Sequence, residues 1–148
     1  MNWLRQVWHF VIINYFVFFW VPVYAYMGMI FQLSSMPNPM SLPAASWALF
    51  VFGSSATYVL HALEYLGLSF ILAVALRHSR HEFLIKHSYI IGFAIAALFG
   101  ISDEIHQIYV PGRECSIWDM GADSLGAFLA QAARKIIKLE KNYMDKIF

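Results

Sequence analysis

The sequence predicts an all-α integral membrane protein: a bundle of four transmembrane helices, with a short interfacial or re-entrant segment between the first two. Three observations carry this. Of 148 residues, 60% are hydrophobic and only 13% are charged, more apolar surface than a soluble domain of this length can hide. The apolar residues gather in long runs, each near the ~20 residues that cross a hydrocarbon core as a helix. The runs are continuous and lack the ~10-residue alternation of a membrane barrel, so their backbone groups are satisfied within helices. The length corresponds to a single domain.

The first run, 8–31, contains no Asp, Glu, Lys or Arg. Val23 and Ala25 in "VYAYM" have the spacing of a signal-peptide cleavage site. The run nevertheless exceeds the ~7–15 apolar residues of such peptides, and only Arg5 precedes it, so a retained span is expected. In the following segment, 32–58, Pro37, Pro39 and Pro43 prevent a regular helix at its start. Residues 47–52 are apolar but too few to cross. The second span, 58–76, is interrupted by His61 and Glu64, the third covers 83–102 and the fourth 117–133. A basic amphipathic tail, 134–148, is expected to lie on the anionic inner leaflet.

Basic loops stay in the cytoplasm. With both termini inside, Arg5, Arg77, Arg80, Lys86, Arg134, Lys135, Lys138, Lys141 and Lys146 are cytoplasmic, nine of the ten Lys and Arg. Arg113 is the exception. The same topology brings Ser35, His61, Glu64, Asp103, Glu104, His106, Gln107, Arg113, Asp119 and Asp123 to one level at the outer face.

Several chemistries are open to these residues. An ionised side chain in a span costs about 2.5–3.5 kcal/mol on insertion scales, so it persists only with partners or water. His61, Tyr65 and Glu64 share a helical turn and should face the bundle interior, as a base or as a structural His–Glu hydrogen bond. Asp103, His106 and Gln107 share a face of the third span, from which Glu104 points away by about a quarter turn. His61, Asp103 and Asp119 are the candidate ligands of a divalent metal, and a plain hydrogen-bonded network is the alternative. Pro111 and Gly112 make a turn that returns Arg113 over the site, either to clamp an anion or to neutralise Asp103, Glu104 or Asp119. Ser116 and Asp119 have capping-box spacing. Asp123 lies one turn into the fourth span and reaches inward, while Gly126 admits a close neighbour. Cys115 is the only cysteine, so no internal disulfide forms, and it is assigned no chemistry.

"FQLSSMP" after the first span, "HALEYLGL" in the second and "SDEIHQIYVPGRECSIWDMGADSLGA" across the third and fourth together resemble the VanZ-like family. The resemblance covers about 25–130. It implies functional positions at Ser35, Pro37, His61, Glu64, Tyr65, Asp103, Glu104, Gln107, Pro111, Gly112, Arg113, Asp119 and Gly126. Asp123 departs from the family, which usually has Asn there, and makes the site more acidic. The resemblance also implies a bacterial cell-envelope protein of the cytoplasmic membrane, in a family linked to low-level teicoplanin resistance. It supplies no reaction.

Two functions follow as expectations. One is a non-enzymatic envelope protein whose outer site, with Ser35, Tyr65, Gln107, Arg113, Asp119 and Asp123 as contacts, binds a lipid-linked cell-wall precursor or a lipoglycopeptide. The other is a small hydrolase or transferase acting on such a precursor. There His61, Glu64, Asp103, Glu104 and Arg113 are the catalytic candidates, with a divalent metal as cofactor. A transporter is disfavoured by the absence of a repeat. The bilayer is the expected partner, and no nucleic acid is.

Overall fold

The computed structural model describes the backbone of residues 2–147 and the side chains of 17–137, Ala44 excepted, with those of Trp3 and Asn14. The side chains of Arg5, Lys138, Lys141 and Lys146, part of the expected cytoplasmic charge, lie outside the described residues. Every regular element among the described residues is helical. In chain order these are α1 (Asn2–Ser34), a 3-10 turn (Pro39–Ser41), α2 (Pro43–Phe52), a second 3-10 turn (Gly53–Ser55), α3 (Ala56–Arg77), α4 (Glu82–Lys86), α5 (Ser88–Gln107) and α6 (Ile117–Ile147).

Among the described residues, three stretches are long and apolar enough to cross a membrane: Val17–Ser34, Ala45–Arg77 and Ser88–Gln107. The fourth expected span, 117–133, lies within α6, which does not reach that apolarity. Asp119, Asp123 and Gln131 interrupt its membrane-length portion, and the helix then continues through the basic tail to Ile147. The third span begins later than expected, because Glu82–Lys86 forms a separate short helix before Ser88.

The connection after α1 is shaped by its prolines and by Gly53. Pro39 and Pro43 each occupy a first-turn position of their helix, where the missing N–H costs nothing. Gly53 has φ +57°, a left-handed conformation that favours glycine, and it turns the chain back on itself. Ala45 of α2 and Leu60 of α3 consequently line the same cavity. At about 1.5 Å per residue, ten-residue α2 spans only about 15 Å. It lays Ala45 and Ala48 inward, while Trp47, Phe50 and Val51 face outward.

Helix α3 is the centre of the bundle and contacts α1, α2, α5 and α6. The core joins Val23 and Ile30 of α1 to Tyr65, Leu68, Leu72 and Ala75 of α3, with Ala96 of α5 and Ala127 of α6. Large apolar side chains such as Phe18, Leu63, Ile90, Leu98 and Phe128 are exposed around the outside, as lipid solvation requires. Inside, small residues set the spacing. On α5 the buried face runs Ser88, Gly92, Ala96, Gly100, a four-residue repeat that lets backbones approach. The closest approach is at Gly126, where a Cβ would strike the carbonyl of Ala62 on α3.

Gly126→Ala therefore forces α6 off α3 and is expected to destabilise the bundle by several kcal/mol, the range of core overpacking or more. Gly121 has nothing within 4 Å of its would-be Cβ, and Gly121→Ala should be neutral or stabilising by up to about 1 kcal/mol. Thermal unfolding of the two variants in detergent checks the contrast.

Candidate functional site

The inward face of α5 turns polar at its C-terminal end. Four residues beyond Gly100 stands Glu104, and Asp103 and Gln107 repeat the same spacing, so all three side chains are buried. Glu104 thus points into the bundle, not away by a quarter turn as the wheel alone predicts. The face is wide here because Gly100 lets α6 come close: a Cβ at Gly100 would lie 2.9 Å from Asp123 Oδ2. His106 instead faces α1, where its Nε2 lies 3.0 Å from Ser35 Oγ and its ring stacks on Phe31 at 4.4 Å between centroids.

Across the helices, His61 Nδ1 lies 2.9 Å from Asp123 Oδ1, both side chains nearly inaccessible. This is the only ion pair among the described residues. The partner of His61 is therefore Asp123 on α6, not Glu64 on its own helix. Asp123 Oδ2, Asp103 Oδ1 and the Tyr65 hydroxyl are buried without hydrogen-bond partners, which is costly unless a ligand or water completes them.

Gln107 joins the acids to the cation. Its Nε2 donates to Glu104 Oε1 at 3.1 Å, with a longer contact of 3.5 Å to Asp103 Oδ2. Its Oε1 accepts from Arg113 Nε and Nη2 at 3.1 and 2.8 Å. Arg113 reaches this point through the turn at Gly112, which has φ +81°. Among the described residues it forms no ion pair with Asp103, Glu104 or Asp119; Gln107 stands between it and Glu104. Glu104 Oε2 accepts the Ser116 N–H at 2.9 Å, and Ser116 Oγ accepts the Asp119 N–H at 3.2 Å. The capping half of the Ser116–Asp119 motif is thus present at the start of α6, tied to α5 by Glu104.

A cavity of about 160 Å³ opens at this end of the bundle. Its polar wall is Ser34, His61, Glu64, Asp103, Gln107 and Arg113, and its apolar wall includes Leu33, Pro39, Met40, Leu42 and Leu60. The sequence pointed to Ser35, but Ser34 is the serine that faces the cavity. Tyr65 is fully buried behind it, next to Gly100 and Phe99. Asp119 is half-buried at the cap of α6, outside the cavity lining. The apolar wall was not foreseen: only the clustered prolines of the connection hinted that it folds back over the site.

For a cation, the expected trio was His61, Asp103 and Asp119. The trio that converges is His61, Glu104 and Asp123, whose ligand atoms lie within 4.8 Å of one another. One imidazole and two carboxylates suit a borderline divalent ion such as zinc or manganese. All three already hold hydrogen bonds, and Asp123 Oδ2 is the ligand atom left without a partner.

An all-helical, multi-pass membrane protein with its buried acids and His61 gathered at one end of the bundle around a half-apolar cavity is the class these features define. Within that class, the sequence matches the profile of the VanZ/LLP1 family over residues 3–138, and the chain belongs to that family. No curated protein and no solved structure matches it.

Proposed function

We propose that this protein resides in the bacterial cytoplasmic membrane and binds an amphiphilic cell-envelope ligand at its outer face. The observation that carries the reading is the two-sided wall of the cavity. A lipophilic chain fits against Leu33, Pro39, Met40, Leu42 and Leu60, while the polar end meets Arg113, Glu64 and Asp103. Arg113 spends Nε and Nη2 on Gln107, which leaves its Nη1 donors for a phosphate or carboxylate. Glu64 and Asp103 offer acceptors for sugar hydroxyls or amines. A lipid-linked cell-wall precursor or a lipoglycopeptide such as teicoplanin has this chemistry, and occupancy by the latter would link the protein to low-level resistance.

The outer-face assignment takes α6 as a fourth span and puts both termini in the cytoplasm. It is supported by charge: Arg77, Arg80 and Lys86 lie at or between the ends of α3 and α5 opposite the cavity, and Arg134 of α6 reaches Tyr89 at that end, as cytoplasmic loops require. A second reading, a metal-assisted hydrolase or transferase on the same ligand, is favoured by the convergence of His61, Glu104 and Asp123. In it His61 is a ligand, Glu64 serves as base and Arg113 as electrophilic clamp.

Binding of a fluorescent polyprenyl diphosphate and of teicoplanin to the protein in nanodiscs tests both readings. Arg113→Gln is expected to weaken at least one probe about tenfold, the loss of a charge-assisted pair, and Leu60→Trp should block it by filling the cavity. Equal binding by wild type and both variants contradicts the site. Phosphate release from the diphosphate that stops with EDTA and in Asp123→Asn favours the enzyme, whereas chelator-insensitive binding without turnover favours the binding protein. Orientation is checked at Cys115, which is exposed beside Arg113. A membrane-impermeant maleimide should label it in intact cells, and labelling only after lysis reverses the topology.

A further inference from the structure

The end of the bundle opposite the cavity carries a second polar arrangement, built from three helices. Arg77 is the last residue of α3 and Tyr89 the second of α5. Arg77 Nη1 donates to the Tyr89 hydroxyl at 3.3 Å. From α6, the Arg134 guanidinium lies over two rings, with Cζ 5.2 Å from the centroid of Tyr89 and 5.7 Å from that of Phe70. Two guanidinium groups therefore meet on one tyrosine. Among the described residues neither lies within 4.0 Å of a carboxylate, and Arg134 Nη1 is buried with no hydrogen-bond partner.

Converging like charges with a desolvated, unpartnered donor need an anion. Cation–π contact with Tyr89 and Phe70 offsets part of the desolvation and holds the Arg134 fork in place. It leaves the hydrogen-bonding edge unfilled. Arginine forks match a phosphate bidentately.

Depth decides where that phosphate comes from. Arg77 closes the apolar stretch Ala45–Arg77, and Tyr89 is the second residue of Ser88–Gln107. Both stand where a hydrocarbon-length helix ends, which is the level of phospholipid headgroups. Arg134 reaches the same level from α6.

We propose that Arg77, Tyr89 and Arg134 form a binding site for the phosphate of an anionic phospholipid, at the end of the bundle away from the cavity. The two arginines grip the phosphate oxygens. The Tyr89 hydroxyl, whose oxygen accepts from Arg77, donates its proton to a third. Such a lipid would bridge α3, α5 and α6 at the end where Gln131 ties α6 to Ser69 of α3, its Nε2 donating to Ser69 O at 2.8 Å and to Ser69 Oγ at 2.7 Å.

Native mass spectrometry of the full chain released from nanodiscs tests this, using phosphatidylcholine with or without phosphatidylglycerol. Wild type is expected to retain phosphatidylglycerol in preference to phosphatidylcholine. Arg77 is exposed, so Arg77→Gln should fold normally and lose that retention about tenfold, with a similar loss in Arg134→Gln. Arg80→Gln, an exposed basic residue of the connection after α3 that the site does not use, should retain the lipid like wild type. Equal retention by wild type and Arg77→Gln, or no preference for phosphatidylglycerol, overturns the proposal. Inorganic phosphate provides the remaining arm: if it displaces the lipid or stabilises the protein as well in phosphatidylcholine alone, the site takes free phosphate and the lipid assignment fails.

Discussion

The polar end of this bundle depends on one contact, the pairing of the nearly buried His61 on α3 with the buried Asp123 on α6. In a low-dielectric interior such a pair is strong when complete and expensive when half removed. It forms because the helix backbones come unusually close. Gly126 lets α6 touch α3 at Ala62, and Gly100 lets α5 come against Asp123. The small residues set the distances, and the charged residues exploit them. Gln107 then extends the arrangement outward by joining Glu104 to Arg113, so the mobile end of a long arginine is held over the cavity.

Beyond that contact, the molecule is organised by opposite needs at its two ends and on its outside. The outer surface is apolar almost all round, with Phe18, Ile90 and Leu98 exposed. One end concentrates buried acids with orphaned oxygens, a chemistry that calls for donors or cations. The other concentrates guanidinium groups that pair with no carboxylate among the described residues, a chemistry that calls for anions. A membrane protein can sustain this separation because the bilayer presents different partners at its two faces.

Much of the fold was legible in the sequence because long apolar runs and prolines constrain a membrane chain strongly. The short helix after α1 follows from the prolines, but its doubling back does not. That depends on the left-handed conformation of Gly53, and a glycine in sequence does not declare its φ. The lower apolarity of α6 was visible residue by residue in Asp119, Asp123 and Gln131, yet it was outweighed by the run of small apolar residues between them. At the site, His61, Glu64, Asp103, Gln107 and Arg113 line one cavity, a proximity that spacing could anticipate because helical periodicity and alternating chain direction fix which ends meet. Spacing did not give the partners. Glu104 turns inward because the Gly100 face is wide, and His61 chooses Asp123 because Gly126 draws α6 in. The bond from Gln131 to Ser69 was invisible, as each residue alone reads as an isolated polar interruption.

The coupling between His61 and Asp123 is the quantity on which this account turns. A double-mutant cycle measures it directly, with His61→Ala, Asp123→Ala and the double variant unfolded reversibly in mixed micelles. A coupling energy of at least about 1 kcal/mol is expected, within the range for contacting residues of one network. Strictly additive losses would mean that the two side chains do not meet, and the acid-lined cavity built around them would have no structural basis.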